Sequence, residues 1–95
     1  MLVVNQEEPI FPELEVWPNP AREMLYLSLA PAFAFEKELT IQLFSLSGRL
    51  VRRWEAPFFG DYQELGLEGI PSGAYLLLVE SGSFARQQLV AIVAR

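Results

Sequence analysis

The sequence predicts an all-β domain, an immunoglobulin-like sandwich of seven antiparallel strands. Apolar and polar residues alternate with a period of two in several short segments, as they do in half-buried strands. Turn-forming residues recur about every 8–12 positions, and no segment has the apolar spacing of a convincing helix. A length of 95 residues fits one domain. A partly closed barrel is the alternative arrangement of the same strands.

The N-terminal part is predicted to be a linker followed by the first strand. Residues 1–12 contain two prolines and two adjacent glutamates, which favour an extended, weakly ordered linker, and the domain proper is expected to occupy residues 13–95. Glu13 to Trp17 alternates as a strand does. Pro18-Asn19-Pro20 ends it, because both prolines lack an N–H and restrict the residue before them.

The middle of the chain predicts a second strand and a hairpin. Met24 to Leu29 alternates as a strand, and residues 30–38 connect it to the next one. Leu39 to Leu46 and Arg49 to Glu55 read as two strands joined by the tight turn at Ser47-Gly48.

The C-terminal part predicts three more strands. Tyr62 to Leu67 is the fifth, Ala74 to Glu80 the sixth and Phe84 to Val93 the last. Before the sixth strand, Pro71 suits the second position of a β-turn, and Gly73 is expected to take a positive φ.

The sixth strand is expected to be central in its sheet, or at least covered on both sides. Tyr75, Leu77 and Val79 form one face, and the residues between them are also apolar. The other segments are expected to pack around it.

Composition argues against catalysis and against several kinds of partner. The chain has no cysteine and no histidine, which excludes disulfides, thiolate metal sites and Ser-His-Asp or Cys-His arrangements. The carboxylates that could pair for acid–base catalysis lie in loops or beside turns, where solvated carboxylates are the ordinary outcome; they are Glu7/Glu8, Glu36/Glu38, Asp61/Glu64 and Glu68. A net charge of −5 disfavours nucleic acid and anionic lipid. We therefore expect a binding module that is not an enzyme and uses no cofactor.

Two features suggest what such a module binds. The second half of the last strand, Leu89 to Val93, is apolar on both faces, so an uncovered edge there is a template for pairing with another chain. Such free edges also allow a homodimer. The aromatic residues instead favour a carbohydrate-binding or adhesive module. The candidates for its stacking platform are Trp17, Tyr26, Trp54, Phe58, Phe59 and Tyr62, and substitution of Trp17 or Trp54 would test it.

Three phrases of the sequence together resemble a known family. They are V-W-P-N-P-A-R at residues 16–22, L-F-S-L-S-G-R-L-V at 43–51, and L-E-G-I-P-S-G-A-Y-L-L-L-V at 67–79. Their order and spacing are similar to the C-terminal sorting domain of type IX secretion cargo, the type A class of the Por secretion family. The resemblance covers Glu13 to the end of the sequence.

The resemblance implies an immunoglobulin-like sandwich at the end of a larger exported protein. It implies that the domain takes its cargo from the periplasm across the outer membrane, by docking on a translocon and a shuttle barrel. A sortase-like cysteine protease then cuts the upstream linker, and the cargo stays at the cell surface or is released. A signal peptide would precede the cargo.

The resemblance also assigns roles to individual residues. It implies a rigid exit from the first strand, a hairpin turn, a turn-and-anchor group and a terminal recognition strand. The rigid exit is Pro18, Asn19 and Pro20, and the hairpin turn is Gly48. The turn-and-anchor group is Pro71, Gly73 and Tyr75. The terminal recognition strand contributes Leu89, Val90, Ala91, Ile92, Val93 and Arg95. Family members carry a lysine just before the final apolar run, where this chain has Gln88.

Overall fold

The computed structural model describes residues 13–30, 39–56, 62–81 and 84–94. These residues form seven strands and no helix, so they contain no helix able to cross a membrane. The all-β prediction is confirmed, and each strand bound lies within one residue of the predicted one. The strands are β1 (Glu13–Trp17), β2 (Met24–Ala30), β3 (Leu39–Ser45), β4 (Leu50–Ala56), β5 (Gln63–Gly66), β6 (Gly73–Ser81) and β7 (Phe84–Ile92).

The strands form two antiparallel sheets. One sheet has three strands in the order β1-β2-β5, and the other has four in the order β4-β3-β6-β7. β1 pairs with β2 from Glu13 opposite Ala30 to Trp17 opposite Tyr26. The long pairing of β6 with β7 runs from Gly73 opposite Ile92 to Ser81 opposite Phe84.

The core lies between the sheets and is built from alternate residues of the strands. Its largest fully buried side chains come from four strands, and Ala21, between β1 and β2, is also fully buried. Burying one such aliphatic side chain stabilises the fold by about 1.5–3 kcal/mol. These largest buried residues are Leu25, Leu27, Ile41, Leu43, Leu77, Val79, Val90 and Ile92.

The position of β6 confirms the first alternative of its prediction. β6 lies between β3 and β7, so it is central, and its Tyr75, Leu77 and Val79 are buried. Leu76 and Leu78, on the opposite face, are only half-buried. Of the two alternatives, a central position therefore applies, and the described part of the chain places a second layer on one face only.

The turn before β6 also differs from the prediction. Gly73 does not have a positive φ, whereas Gly69 has a φ of 81°. The chain reverses earlier than expected: the Ile70 N–H donates to the Leu67 carbonyl at 3.0 Å, and Gly69 lies inside that turn. Gly73 is already the first residue of β6, where the backbone is extended.

The antiparallel order gives the sandwich two distinct ends. We call the end at which β7 finishes the lower end. β1, β3 and β5 also finish there, and β2, β4 and β6 begin there. The chain enters β1 at Glu13 at the opposite, upper end.

Candidate functional site

Asn19 binds the outer edge of the terminal strand with both ends of its side-chain amide. Its Nδ2 donates to the Leu89 carbonyl at 3.2 Å, and its Oδ1 accepts from the Ala91 N–H at 2.9 Å. The side chain thus replaces the peptide group of a neighbouring strand. Pro18 and Pro20 flank it, both after cis peptide bonds, and their rings fix φ on either side of Asn19.

Two further residues hold the end of the chain. The Ala21 N–H donates to the Ala91 carbonyl, and the Ala21 carbonyl accepts from the Val93 N–H, both at 2.8 Å. Ser72 Oγ accepts from the Ala94 N–H at 2.8 Å. The prediction of an uncovered edge is therefore wrong for this half of the terminal strand. The segments that close it come from distant parts of the sequence.

The side chains of the terminal strand divide into two groups. Val90 and Ile92 are buried in the core, with exposures of 1% and 2%. Leu89 is 57% exposed and Val93 36%, and Ala91 lies between these extremes. In the folded domain, Leu89, Ala91 and Val93 are therefore the residues of this segment whose side chains reach the surface.

The two remaining residues predicted near this strand have different positions. Gln88 donates from Nε2 to the Leu89 carbonyl at 3.3 Å, so it shares that acceptor with Asn19. Arg95 lies outside the described residues.

Tyr75 ties the turn to the start of β6. Its hydroxyl donates to the Pro71 carbonyl at 2.6 Å, and its ring lies beside Gly73, where a Cβ would come within 3.5 Å of Cε2. That distance is an ordinary contact, so an alanine would fit there. The ring itself is 7% exposed, which places the bond at the border of the core.

The β3–β4 turn is closed by backbone bonds around Gly48. The Gly48 N–H donates to the Ser45 carbonyl at 2.9 Å, and the Ser45 N–H donates to the Arg49 carbonyl at 2.8 Å. Gly48 has a φ of 94°, a conformation that favours glycine. The predicted hairpin is confirmed.

All the predicted site residues in the described ranges gather at or near the lower end. The strands alternate in direction, and each quoted phrase falls where a strand finishes or begins at that end. An open cleft of about 650 Å³ lies beside it, with Arg22, Glu23 and Glu68 among its charged lining residues. The site is thus farthest from Glu13, where the preceding chain joins the domain.

A separate aromatic cluster covers the outer face of the three-stranded sheet. The ring centroids of Trp17, Tyr26 and Tyr62 lie 5.7–6.2 Å apart. Trp17 is 40% exposed and Tyr62 47%. At this spacing the rings contact one another, so only their outward surfaces are open to a ligand. Trp54, another predicted aromatic candidate, packs against the core instead, and the phenylalanine pair of that prediction lies outside the described residues.

The chemistry of the lower end is suited to binding. Its surface combines exposed aliphatic side chains with backbone groups fixed by hydrogen bonds. The described ranges contain no buried charged side chain and no group of three or more acidic residues placed to hold a metal ion.

Sequence reasoning singled out Pro18-Asn19-Pro20 only as a rigid strand exit and missed Ala21 and Ser72. The one available signal was chemical. A side-chain amide carries a donor and an acceptor, as a peptide group does, and two prolines hold this one in place. Its partners lie 70 and 72 positions away, so no local pattern identifies them.

Comparison with known protein families shows which family the chain belongs to. A family model described as "Secretion system C-terminal sorting domain" matches residues 15–92. No curated protein matches the sequence. The matched range begins inside β1 and ends with β7, so it includes Asn19, Ala21, Ser72 and most of the terminal strand that they hold.

Proposed function

This chain belongs to the family of secretion-system C-terminal sorting domains, and from that premise we propose that it is the non-catalytic address label of a larger cargo protein. It directs the cargo from the periplasm across the outer membrane by type IX secretion, to the cell surface or the medium. The observation that carries the proposal is the family match over residues 15–92 of a 95-residue chain.

The geometry of the domain supports this role. Residues 1–12 serve as the linker to the cargo, and a sortase-like cysteine protease cuts there after export. The linker precedes Glu13 at the upper end, and the terminal strand ends at the lower end. The translocon and shuttle barrel therefore reach the lower end without contacting the cargo.

Within the terminal strand, roles follow from exposure. Leu89, Ala91 and Val93 contact the machinery, and Val90 and Ile92 hold the strand in the core. Arg95 adds a positive charge at the end of the chain.

The immunoglobulin-like arrangement is part of the same proposal. The two antiparallel sheets resemble that topology, in which the third, sixth and seventh strands are neighbours in one sheet. The difference is that β4 lies beside β3 and not beside β5. The Tyr75 hydroxyl bonds back to the Pro71 carbonyl just before its strand, as the tyrosine corner of such sandwiches does. Both features support the assignment.

An export assay tests the sorting role. The chain is fused to a periplasmic reporter in a bacterium that has the type IX machinery, and surface and secreted reporter are measured. We expect export of the fusion and retention of the reporter alone. A fusion that stays in the periplasm contradicts the proposal.

The contribution of the terminal strand needs a point substitution. Deleting residues 91–95 would remove Ile92 from the core together with the Ala21 bonds, so loss of export would also report unfolding. Val93→Ser changes an exposed side chain and leaves its backbone bond to Ala21 in place. We expect reduced export with unchanged melting, and full export would exclude Val93 from the contact.

The aromatic cluster supports a second candidate, a carbohydrate-binding module. Trp17 and Tyr62 present partly exposed rings, and Glu15 and Glu64 are exposed on the same sheet. Aromatic surfaces stack on sugars, and carboxylates accept hydrogen bonds from hydroxyls. Binding to neutral glycans on an array, lost in Trp17→Ala without loss of folding, would favour this function. No binding across the array would remove it.

A further inference from the structure

An uninterrupted apolar row crosses the outer face of the four-stranded sheet. The register pairs Leu50 with Phe44 and Phe44 with Leu76, and the line continues from Leu76 to Leu89. Leu50 is 46% exposed and Leu89 57%, and the two residues between them are half-buried. We call these four residues the apolar row.

A bulge in β4 places Leu50 in this row. The register shifts between Leu43 and Phe44, so that Leu43 faces Arg52 and Phe44 faces Leu50. Val51 is the extra residue of the bulge and packs against the core. Without the bulge, Val51 would stand opposite Phe44 and Leu50 would lie beyond the row.

The rest of this face becomes polar toward the upper end. Arg53 and Glu55 form an exposed ion pair at 2.6 Å, and Glu80 adds one more charge. A solvated sheet face ordinarily carries polar residues along its whole length. On this face, the two rows beyond the apolar row are mostly polar. The first consists of Arg53, Gln42, Leu78 and Gln87, and the second of Glu55, Thr40, Glu80 and Ala85.

We propose that the apolar row is a docking surface for a protein of the export machinery, additional to the terminal strand. The proposal rests on the proposed sorting function. Of its four residues only Leu89 belongs to the terminal strand, so the contact extends across the sheet to Leu50. The partner is a protein of neutral or basic net charge, because the chain carries −5 overall, and its contact surface is an apolar strip with a polar rim, because Arg53, Glu55 and Glu80 in the rows beyond the apolar row carry charges of both signs.

A second copy of this chain is a poorer occupant on two grounds. With strands about 4.8 Å apart, the four-stranded face is about 20 Å wide and similarly long, so two such faces would bury about 800 Å² in total. Stable interfaces bury about 1,200 Å² or more. Two copies would also bring together two charges of −5. A contact of this size with an oppositely charged protein is typical of a transient encounter, as a label that is later released requires.

Substitution of Leu50 tests the row apart from the terminal strand. Leu50→Ser is compared with Leu46→Ser, which lies in the β3–β4 turn and is more exposed, at 67%. Both variants of the full chain carry the reporter, and their urea unfolding midpoints are measured. We expect Leu50→Ser to lower export about five- to tenfold, as for truncation of an interface anchor, and Leu46→Ser to leave it unchanged. Leu50→Thr, which keeps a strand-forming residue, replaces Leu50→Ser if the serine variant unfolds.

Photocrosslinking identifies the occupant without altering the rest of the chain. A photoreactive residue at position 50 is expected to crosslink to an outer-membrane protein of the machinery, and one at position 46 is not. A crosslink to a second copy of the chain, or unchanged export of a folded Leu50→Ser or Leu50→Thr variant, overturns the row proposal while the sorting function stands. Retention of the unmodified fusion in the periplasm overturns both.

Discussion

Replacing Asn19 with alanine should loosen the end of the terminal strand. The change removes two hydrogen bonds, at 3.2 Å to the Leu89 carbonyl and at 2.9 Å from the Ala91 N–H. At about 0.5–1.5 kcal/mol each, they contribute about 1–3 kcal/mol. The site is exposed, so water replaces part of this, and Gln88 still donates to the Leu89 carbonyl. We therefore expect a loss of about 1–1.5 kcal/mol.

Urea unfolding of the full chain measures this loss, and amide hydrogen exchange locates it. A domain of this size has about 5–14 kcal/mol of stability, so Asn19→Ala should still fold. Its Ala91 amide should exchange faster through local opening of the strand end. Amides in the centre of β3 should lose only as much protection as the lower free energy of global unfolding accounts for. Asn19→Asp is the matched control, because it keeps the acceptor for Ala91 but loses the donor to Leu89. If Asn19→Ala unfolds at the wild-type urea concentration and Ala91 exchanges at the wild-type rate, the stabilising role of the two Asn19 hydrogen bonds is refuted.

Three further pairs of substitutions test the turn and the two faces of the sheets. Tyr75→Phe should lower the free energy of unfolding by about 1 kcal/mol in urea melts, because it removes the 2.6 Å hydrogen bond to the Pro71 carbonyl, and Tyr75→Ala should lower it by about 3–5 kcal/mol. A wild-type midpoint for the alanine variant would contradict the burial of the ring. Gly69→Ala should cost about 1–2 kcal/mol because its φ is 81°, whereas Gly73→Ala should be neutral within about 0.5 kcal/mol; the reverse order would show that the chain turns at Gly73. Leu77→Ala should cost about 2–5 kcal/mol and Leu89→Ala well under half as much, since Leu77 is fully buried and Leu89 is 57% exposed; equal losses would contradict the assignment of faces.

The strands could be predicted from the sequence because each inner face repeats every second residue. β3 illustrates this: buried Ile41 and Leu43 alternate with half-buried Thr40 and Gln42. At β6, apolar residues on both faces predicted a central strand or one covered on both sides, and only the central position applies. Leu76 is apolar because it lies in the apolar row, and a strand's own pattern does not say whether its second face meets another layer.

Turn geometry and long-range pairing were less accessible. Gly69 and Gly73 lie in one turn-rich segment, and the choice between them depends on where the Ile70 N–H finds its acceptor. The closing of the terminal edge was missed for a similar reason. It depends on how Asn19 and Ser72 meet residues 89–94 once both sheets have formed, and local propensity carries no such information.

Export in matched strains tests the sorting role most directly. The whole chain, fused to a periplasmic reporter, is expressed in a type IX host and in the same host lacking the translocon, and the reporter is measured in surface, medium and periplasmic fractions. We expect surface or secreted reporter in the first strain and periplasmic reporter in the second. Periplasmic reporter in both strains, or equal export from both, would contradict a label that is read by this machinery.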